Sequence, residues 1–196
     1  MIIDEDVLLA YGASYETYEM NETVFHEGNL PKFYFQIIRG IVELNNYHED
    51  GKEFTQNILS DGQSLGESFL FNDKYYPANA TAKTRCRILK LPKRDFLNLL
   101  AKNPEACTKM LHCLADRLYN KYIMLFNISS PDPCYKIKTV MDGLKGNTGS
   151  KYSFQVPLTR QQLANLTGLR VETVIRAIKK MHNNHQLKIE NRKIYY

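Results

Sequence analysis

The first half of the chain is punctuated by glycines at almost regular intervals. They stand at Gly28, Gly40, Gly51 and Gly62, so the separations are 12, 11 and 11 residues. Glycine tolerates a positive φ, and the last two glycines each follow an aspartate, which is typical of tight turns. Short runs of β-branched and aromatic residues with turns at this spacing predict an antiparallel β-sandwich or β-roll. The predicted strands include Thr23–Phe25, Phe33–Ile38, Ile41–Leu44, Asn79–Ala82 and Cys86–Leu91.

Beyond Pro92 the hydrophobic period changes. Between about Glu105 and Phe126, leucines recur with spacings of 3, 4 and 7 residues. These leucines are Leu111, Leu114, Leu118 and Leu125. A narrow heptad stripe on one long helix is typical of a two-stranded coiled coil, so we predict a dimerisation helix. Packing of the stripe against its own domain is the alternative.

The segment after this helix, Ser129–Pro133, contains two prolines, which remove backbone donors and favour extended geometry. We predict a hinge there, with Asp132 as the N-cap of a helix over Pro133–Leu144. Residues alternate over Lys151–Val156, which predicts a short strand.

Charge is divided unevenly along the chain. Residues 1 to 133 hold 14 Lys and Arg against 18 Asp and Glu, whereas residues 134 to 196 hold 12 against 3. Clustered cations favour a polyanion partner, because binding to phosphates releases condensed counterions. A solvated basic surface without a partner is the alternative.

The basic third contains a segment, Leu158–Met181, with the pattern of two short helices around a turn. Thr159 is a predicted N-cap with Gln162 at the capping-box position, and Gly168 allows the tight turn. Hydrophobic residues four apart then give the second helix a buried face. Helix, turn and basic helix indicate a helix-turn-helix, and the alternating run Leu187–Tyr196 predicts a two-stranded wing.

At this point the sequence resembles the Crp/Fnr family of bacterial transcription regulators over nearly its whole length. The matching motifs are Val24–Gly28, Ile37–Val42, Asp50–Glu53, Gly66–Leu70, Leu158–Ala164, Gly168 and Val171–Arg176. The resemblance implies an α+β fold of three parts. These are an antiparallel β-roll of the cyclic-nucleotide-binding kind at 1–104, a dimerisation helix and hinge at 105–130, and a winged helix-turn-helix at 131–196.

The resemblance also implies a DNA-reading site at the start of the second helix. Glu172 would accept from a cytosine amino group, Arg176 would donate to guanine, and Val171 would touch a thymine methyl. An ion pair between Glu172 and Arg176, four residues apart, is the alternative. Phosphate contacts are assigned to Thr159, Arg160, Gln161, Arg170, Thr173 and Lys179. The expected target is a palindrome, with half-sites of TTGA type.

In relatives that bind cyclic nucleotides, a Gly-Glu pair and a later arginine hold the ligand. Gly66 and Glu67 match the pair, but Ala78 stands where the phosphate-binding arginine is expected. We therefore expect no cofactor and an effector other than cyclic AMP, or no effector at all. The expected pocket residues are Gly66, Glu67, Ser68, Ala78, Asn79, Lys121 and Tyr122.

Other kinds of site find little support in the sequence. The four cysteines, Cys86, Cys107, Cys113 and Cys134, form no Cys-x-x-Cys pair, so we expect no metal or iron-sulfur site. No catalytic motif is present, and an enzyme of the cupin kind would need paired histidines. We expect a cytoplasmic homodimer that binds double-stranded DNA, with RNA polymerase as the partner that the family implies and no membrane association. A ligand sensor whose basic tail meets RNA or an acidic protein is the competing hypothesis.

Overall fold

The computed structural model describes residues 1–72, 74–145 and 150–196 of the chain. The chain divides into two compact units, Met1–Tyr119 and Asn120–Tyr196. This division falls within a long helix, and the domain boundaries drawn from the sequence at residues 104 and 130 stay a prediction.

The first unit is built on short antiparallel strands, as the glycine spacing predicts. They are β1 (Ser14–Tyr18), β2 (Thr23–Phe25), β3 (Phe33–Arg39), β4 (Val42–Tyr47), β5 (Glu53–Leu59), β6 (Ser64–Leu65), β7 (Asn79–Ala82) and β8 (Cys86–Pro92). One sheet has the order β1-β8-β3-β6 and the other the order β2-β7-β4-β5. Residues of both sheets share one apolar cluster, so the sheets enclose a core. The β-roll is confirmed.

The sheet that contains β8 is apolar on both faces. Ile88 belongs to the core between the sheets, whereas the next residue, Leu89, packs into a second cluster, because successive strand residues point to opposite faces. The second cluster is completed by α1 (Glu5–Ala10) and α2 (Lys93–Lys102), for example through the fully buried Phe96. Neither helix was predicted from the sequence.

All four regularly spaced glycines have positive φ, from 77° to 116°, which confirms the predicted turns. Gly40 is also needed for space. A Cβ there would lie 2.6 Å from Cys86 Sγ and 2.9 Å from the Arg85 carbonyl oxygen.

The long helix α3 runs from Pro104 to Ser129, one residue earlier and three residues later than predicted. The predicted N-cap after the hinge is confirmed, because the Asp132 carboxylate accepts a hydrogen bond from the Cys134 N–H at 2.9 Å. The helix that follows, α4, covers Pro133–Lys145.

The second unit continues with two helices and a hairpin: α5 (Arg160–Thr167), α6 (Val171–Asn183), β9 (Lys188–Glu190) and β10 (Lys193–Tyr195). Leu163, Val174 and Ile178 are buried in one core that joins the helices to the hairpin. Asn191 and Arg192 both have positive φ, as the two central residues of a tight hairpin require. The predicted helix-turn-helix and wing are confirmed.

The strand predicted over residues 151–156 is wrong. Tyr152 has a φ of 65°, so the backbone turns there, and a single bridge joins Gln155 to Tyr195. Only residues 154–156 pair with β10, through backbone hydrogen bonds between Phe154 and Tyr196 and from Val156 to Ile194, and Pro157 then ends the extended backbone.

Candidate nucleic-acid interface and effector pocket

Local chemistry sets both ends of α5. Thr159 Oγ1 accepts from the Gln162 N–H at 3.1 Å, and Gln162 Oε1 accepts from the Thr159 N–H at 2.8 Å. This is the predicted capping box, and Gly168 ends α5 in a left-handed conformation with φ 68°. Arg170 is extended, so α6 starts in a new direction at Val171.

The two predicted base-reading charges lie on the exposed face of α6. Glu172 and Arg176 are exposed and one turn apart, and Lys179 continues the same face. Val171 differs from them, because it is half-buried and packs against the core of the second unit.

Glu172 is left without a cation in the described part of the chain. The other two carboxylates beyond residue 133 are paired, Asp142 with Lys138 at 2.8 Å and Glu190 with Lys188 at 3.2 Å. The alternative ion pair between Glu172 and Arg176 does not form in the described residues. Both groups are therefore available to a ligand.

The predicted phosphate contacts fall into two groups. Thr159 caps α5, an Arg160 guanidinium N–H donates to the Arg192 carbonyl oxygen, and the Gln161 amide donates to Asn165 at 2.9 Å. The side chains of Thr159 and Gln161 therefore already form hydrogen bonds within or at the start of α5, and that of Arg160 forms one to the wing. By contrast, Arg170 and Lys179 are exposed, and Thr173 is half-buried at the first turn of α6.

One further residue on this surface was not assigned a role from the sequence. Ile175 is 40% exposed, beside Arg176 and off the buried period of α6. The signal for it in the sequence is a β-branched residue that stands outside the apolar repeat of the predicted second helix.

The predicted effector pocket of the first unit centres on a carboxylate that the chain itself binds. Gly66 has φ 73°, and Glu67 after it is fully buried at the start of a short 3₁₀ helix, Glu67–Phe71. Glu67 accepts from the Arg117 guanidinium of α3, and its second oxygen accepts from Ser64 Oγ at 2.9 Å. Arg117 also donates to the Ser64 carbonyl oxygen at 2.6 Å.

Tyr76 stands beside this carboxylate. Burial first, and then the negative charge of Glu67, raise the pKa of the Tyr76 hydroxyl well above its ordinary value.

The role of Arg117 was missed in the sequence analysis, because one arginine on a charged helix carries no distinguishing signal in the sequence.

The remaining predicted pocket residues are dispersed. Ala78 is buried, and the Asn79 amide is already bonded to the Glu27 N–H at 3.0 Å and to the Asn45 carbonyl oxygen at 3.4 Å. Ser68 lines a separate apolar cavity of about 290 Å³ with residues of α2 and α3. Lys121 and Tyr122 are exposed on the part of α3 that belongs to the second unit.

Three of the four stripe leucines on α3 are exposed: Leu111 at 61%, Leu118 at 55% and Leu125 at 69%. Leu114 is half-buried and packs against the second cluster of the first unit. Tyr119, Tyr122 and Phe126 add further exposed apolar surface to the helix.

Within the described residues, no group of three or more His, Cys, Asp and Glu side chains could hold a metal ion. No described helix is long and apolar enough to cross a membrane.

Profiles of known protein families match both the β-roll and the helix-turn-helix of this chain. The profile of the cyclic nucleotide-binding domain matches residues 15–103, and that of the Crp-like helix-turn-helix domain matches residues 139–195. The cAMP-activated global transcriptional regulator CRP of Pasteurella multocida is 28% identical over 181 residues, covering 90% of this chain and 87% of the relative. The global nitrogen regulator of a Nostoc species is 25% identical, covering 91% and 83%.

Solved structures share the fold. The c-di-GMP responsive global regulator CLP of Xanthomonas campestris has a TM-score of 0.81 at 19% identity, covering 97% of this chain and 96% of that one. FixK2 of Bradyrhizobium japonicum has a TM-score of 0.76 at 16% identity, covering 93% and 91%.

A β-roll of the cyclic-nucleotide-binding kind followed by a helix-turn-helix defines a DNA-binding transcription regulator. The chain belongs to the Crp/Fnr family of such regulators.

Proposed function

We propose that the chain works as a homodimer that reads a palindromic DNA site in the cytoplasm, through Glu172 and Arg176 of each copy. The observation that carries this proposal is the exposure of both charges one turn apart on α6, with neither paired to the other. The output is transcription regulation with RNA polymerase as partner, and not catalysis.

The chemistry of the two side chains suits a C·G base pair and its neighbour. A carboxylate accepts from cytosine N4, and a guanidinium donates two hydrogen bonds to guanine O6 and N7. Each such contact discriminates against a wrong base by about 1–3 kcal/mol. Ile175, which precedes Arg176 and is also exposed, adds an apolar contact that fits a thymine methyl.

Dimerisation is supported by the exposed apolar surface of α3. Leu111, Leu118 and Leu125 keep the heptad spacing of a coiled-coil seam. Two symmetric modules then meet half-sites whose centres lie about 10–10.5 base pairs apart.

Selection of bound duplexes from a random pool tests the proposal. We expect an enriched palindrome, and variants Glu172→Gln and Arg176→Gln should each lose at least tenfold in affinity for it. Lys151→Gln, which also removes one exposed cation of the second unit, is the matched control and should keep the sequence preference.

Two outcomes would overturn this assignment. One is an Arg176→Gln variant with an unchanged preference among sequences. The other is equal binding of RNA and of all duplexes, with the same loss in salt for every variant, which a generic basic tail predicts.

We further propose that cyclic AMP is not the effector of this chain and that the protein uses another small ligand or none. Some relatives are named as cAMP-activated, but here Ala78 supplies no cation for a phosphate and Glu67 is bound by Arg117. Titration of the full chain with cyclic AMP should show no effect on DNA affinity. An increase in DNA affinity with cyclic AMP that Glu67→Gln abolishes would contradict the proposal.

A further inference from the structure

A concavity at one end of the β-roll gathers three arginines. Arg39 ends β3, Arg87 lies in β8, and Arg85 precedes it in the turn from β7. The concavity has a volume of about 950 Å³, is open to solvent and lies wholly within the first unit. Its cationic lining contrasts with residues 1 to 133 as a whole, which carry four more carboxylates than cations.

The sheet register places two of these cations directly across from each other. Arg39 pairs with Arg87 in the ladder of β3 and β8, and Thr17 of β1 stands on the other side of Arg87. Like charges opposite each other destabilise a sheet. An anion bound between them would turn this repulsion into two attractive contacts.

Within the residues that the structure describes, the three arginines keep hydrogen-bond donors that no protein group uses. The Arg87 guanidinium carbon lies 3.7 Å from the centre of the Tyr15 ring, a contact that uses the face of the guanidinium and none of its N–H donors. Arg85 forms an ion pair with the exposed Glu19 through Nε at 3.1 Å, so its two terminal nitrogens remain available to a ligand. Arg39 has no side-chain partner within the described residues.

The carboxylate in the lining is already engaged. Asp61 Oδ1 accepts from the Gly40 N–H at 2.7 Å and so holds the turn at the edge of the concavity. With three arginines and one aspartate, the lining of the concavity carries more cations than carboxylates.

We propose that this concavity binds a phosphorylated small molecule. Three guanidinium groups can donate more hydrogen bonds than the two oxygens of one carboxylate can accept. A terminal phosphoryl group has three oxygens and therefore suits this set of donors better. The volume exceeds that of one phosphate and falls in the range of sites for organic ligands. The site is separate from the pocket at Glu67, with which it shares no residue.

Calorimetric titration of the full chain with inorganic pyrophosphate tests the proposal, at fixed ionic strength and with citrate as an anion of similar charge. We expect pyrophosphate to bind at least tenfold more tightly than citrate. Arg39→Gln should weaken pyrophosphate binding at least threefold, and Arg39→Gln with Arg87→Gln at least tenfold. The matched control, Lys32→Gln with Arg94→Gln, removes two cations of the same unit outside the concavity and should bind as the wild type does.

Circular dichroism shows whether each variant folds. The single variant keeps the test decisive, because the Arg39 side chain forms no hydrogen bond or ion pair within the described residues that its loss would break. Equal binding of pyrophosphate to the wild type and to folded Arg39→Gln, or equal binding of citrate and pyrophosphate, would overturn the proposal. Loss of affinity for the selected DNA site in the double variant, without pyrophosphate binding by the wild type, would assign the arginines to DNA phosphates instead. The pyrophosphate and citrate measurements do not depend on the roles of Glu172 and Arg176.

Discussion

The substitution Arg117→Met removes the cation that compensates the buried Glu67 carboxylate, and it keeps a side chain of similar length. Glu67 is 0% exposed, whereas the Arg117 side chain is 24% exposed. After the substitution, Ser64 Oγ, at 2.9 Å, is the described hydrogen-bond partner that the carboxylate keeps. Methionine preserves much of the packing of the arginine stem against the first unit.

The expected loss of stability comes from the Glu67 charge, which stays buried when Arg117 is removed. Removal of one partner from a buried ion pair costs about 3–5 kcal/mol, because the other charge remains buried without compensation. The lower end applies here, since water can approach Arg117 and hydrate the position that its guanidinium occupies. We therefore expect the free energy of unfolding of the first unit to fall by about 3 kcal/mol.

Urea denaturation followed by circular dichroism measures this loss, since the chain has no tryptophan to report by fluorescence. A double-mutant cycle with Glu67→Gln isolates the pair, and we expect a coupling of about 2 kcal/mol. Arg94→Met, at an exposed position of α2, is the matched control and should change stability by less than about 0.5 kcal/mol. A loss below about 1 kcal/mol for Arg117→Met, or additive effects in the cycle, would refute the reasoning.

Three further predictions concern the seam, a buried carboxyl and the cap. Leu118→Glu with Leu125→Glu should give a monomer with weakened DNA binding, measured by light scattering and gel shift, because charges then face each other across the seam. Burial raises the pKa of the Glu43 carboxyl above its ordinary value, so the folded state takes up a proton more readily than the unfolded state, and stability from this group is lost as pH rises. Glu43→Gln, which can still accept from Thr55, should therefore raise the urea midpoint more at pH 7 than at pH 4. Thr159→Ala should lower stability of the second unit by about 1 kcal/mol in thermal unfolding.

Each of these has a result that contradicts it. A dimer that survives both glutamates would place the seam elsewhere than on the exposed face of α3. An advantage of Glu43→Gln that grows toward acid pH would reverse the sign of the linkage. Equal stability of Thr159→Ala and the capping-competent Thr159→Ser would show that the capping hydrogen bond adds no stability.

The features that the sequence predicted well are local ones. The capping box at Thr159, the turn at Gly168 and the N-cap at Asp132 each depend on residues within four positions of one another. The strand at residues 151–156 failed because alternation describes side chains and not the backbone, which turns at Tyr152. Helix α1 has six residues, too few for an apolar period to stand out.

By itself, the sequence determined the order of β-roll, long helix and winged helix-turn-helix, and it placed Glu172 and Arg176 four apart on one helix. Tertiary structure alone decided which charges distant in the sequence come together. Glu67 meets Arg117 across 50 positions of chain, and Arg39 faces Arg87 across the register of two strands. The physical reason is that helical period and turn chemistry act over a few residues, whereas burial and cross-strand pairing depend on segments that only the folded chain brings together.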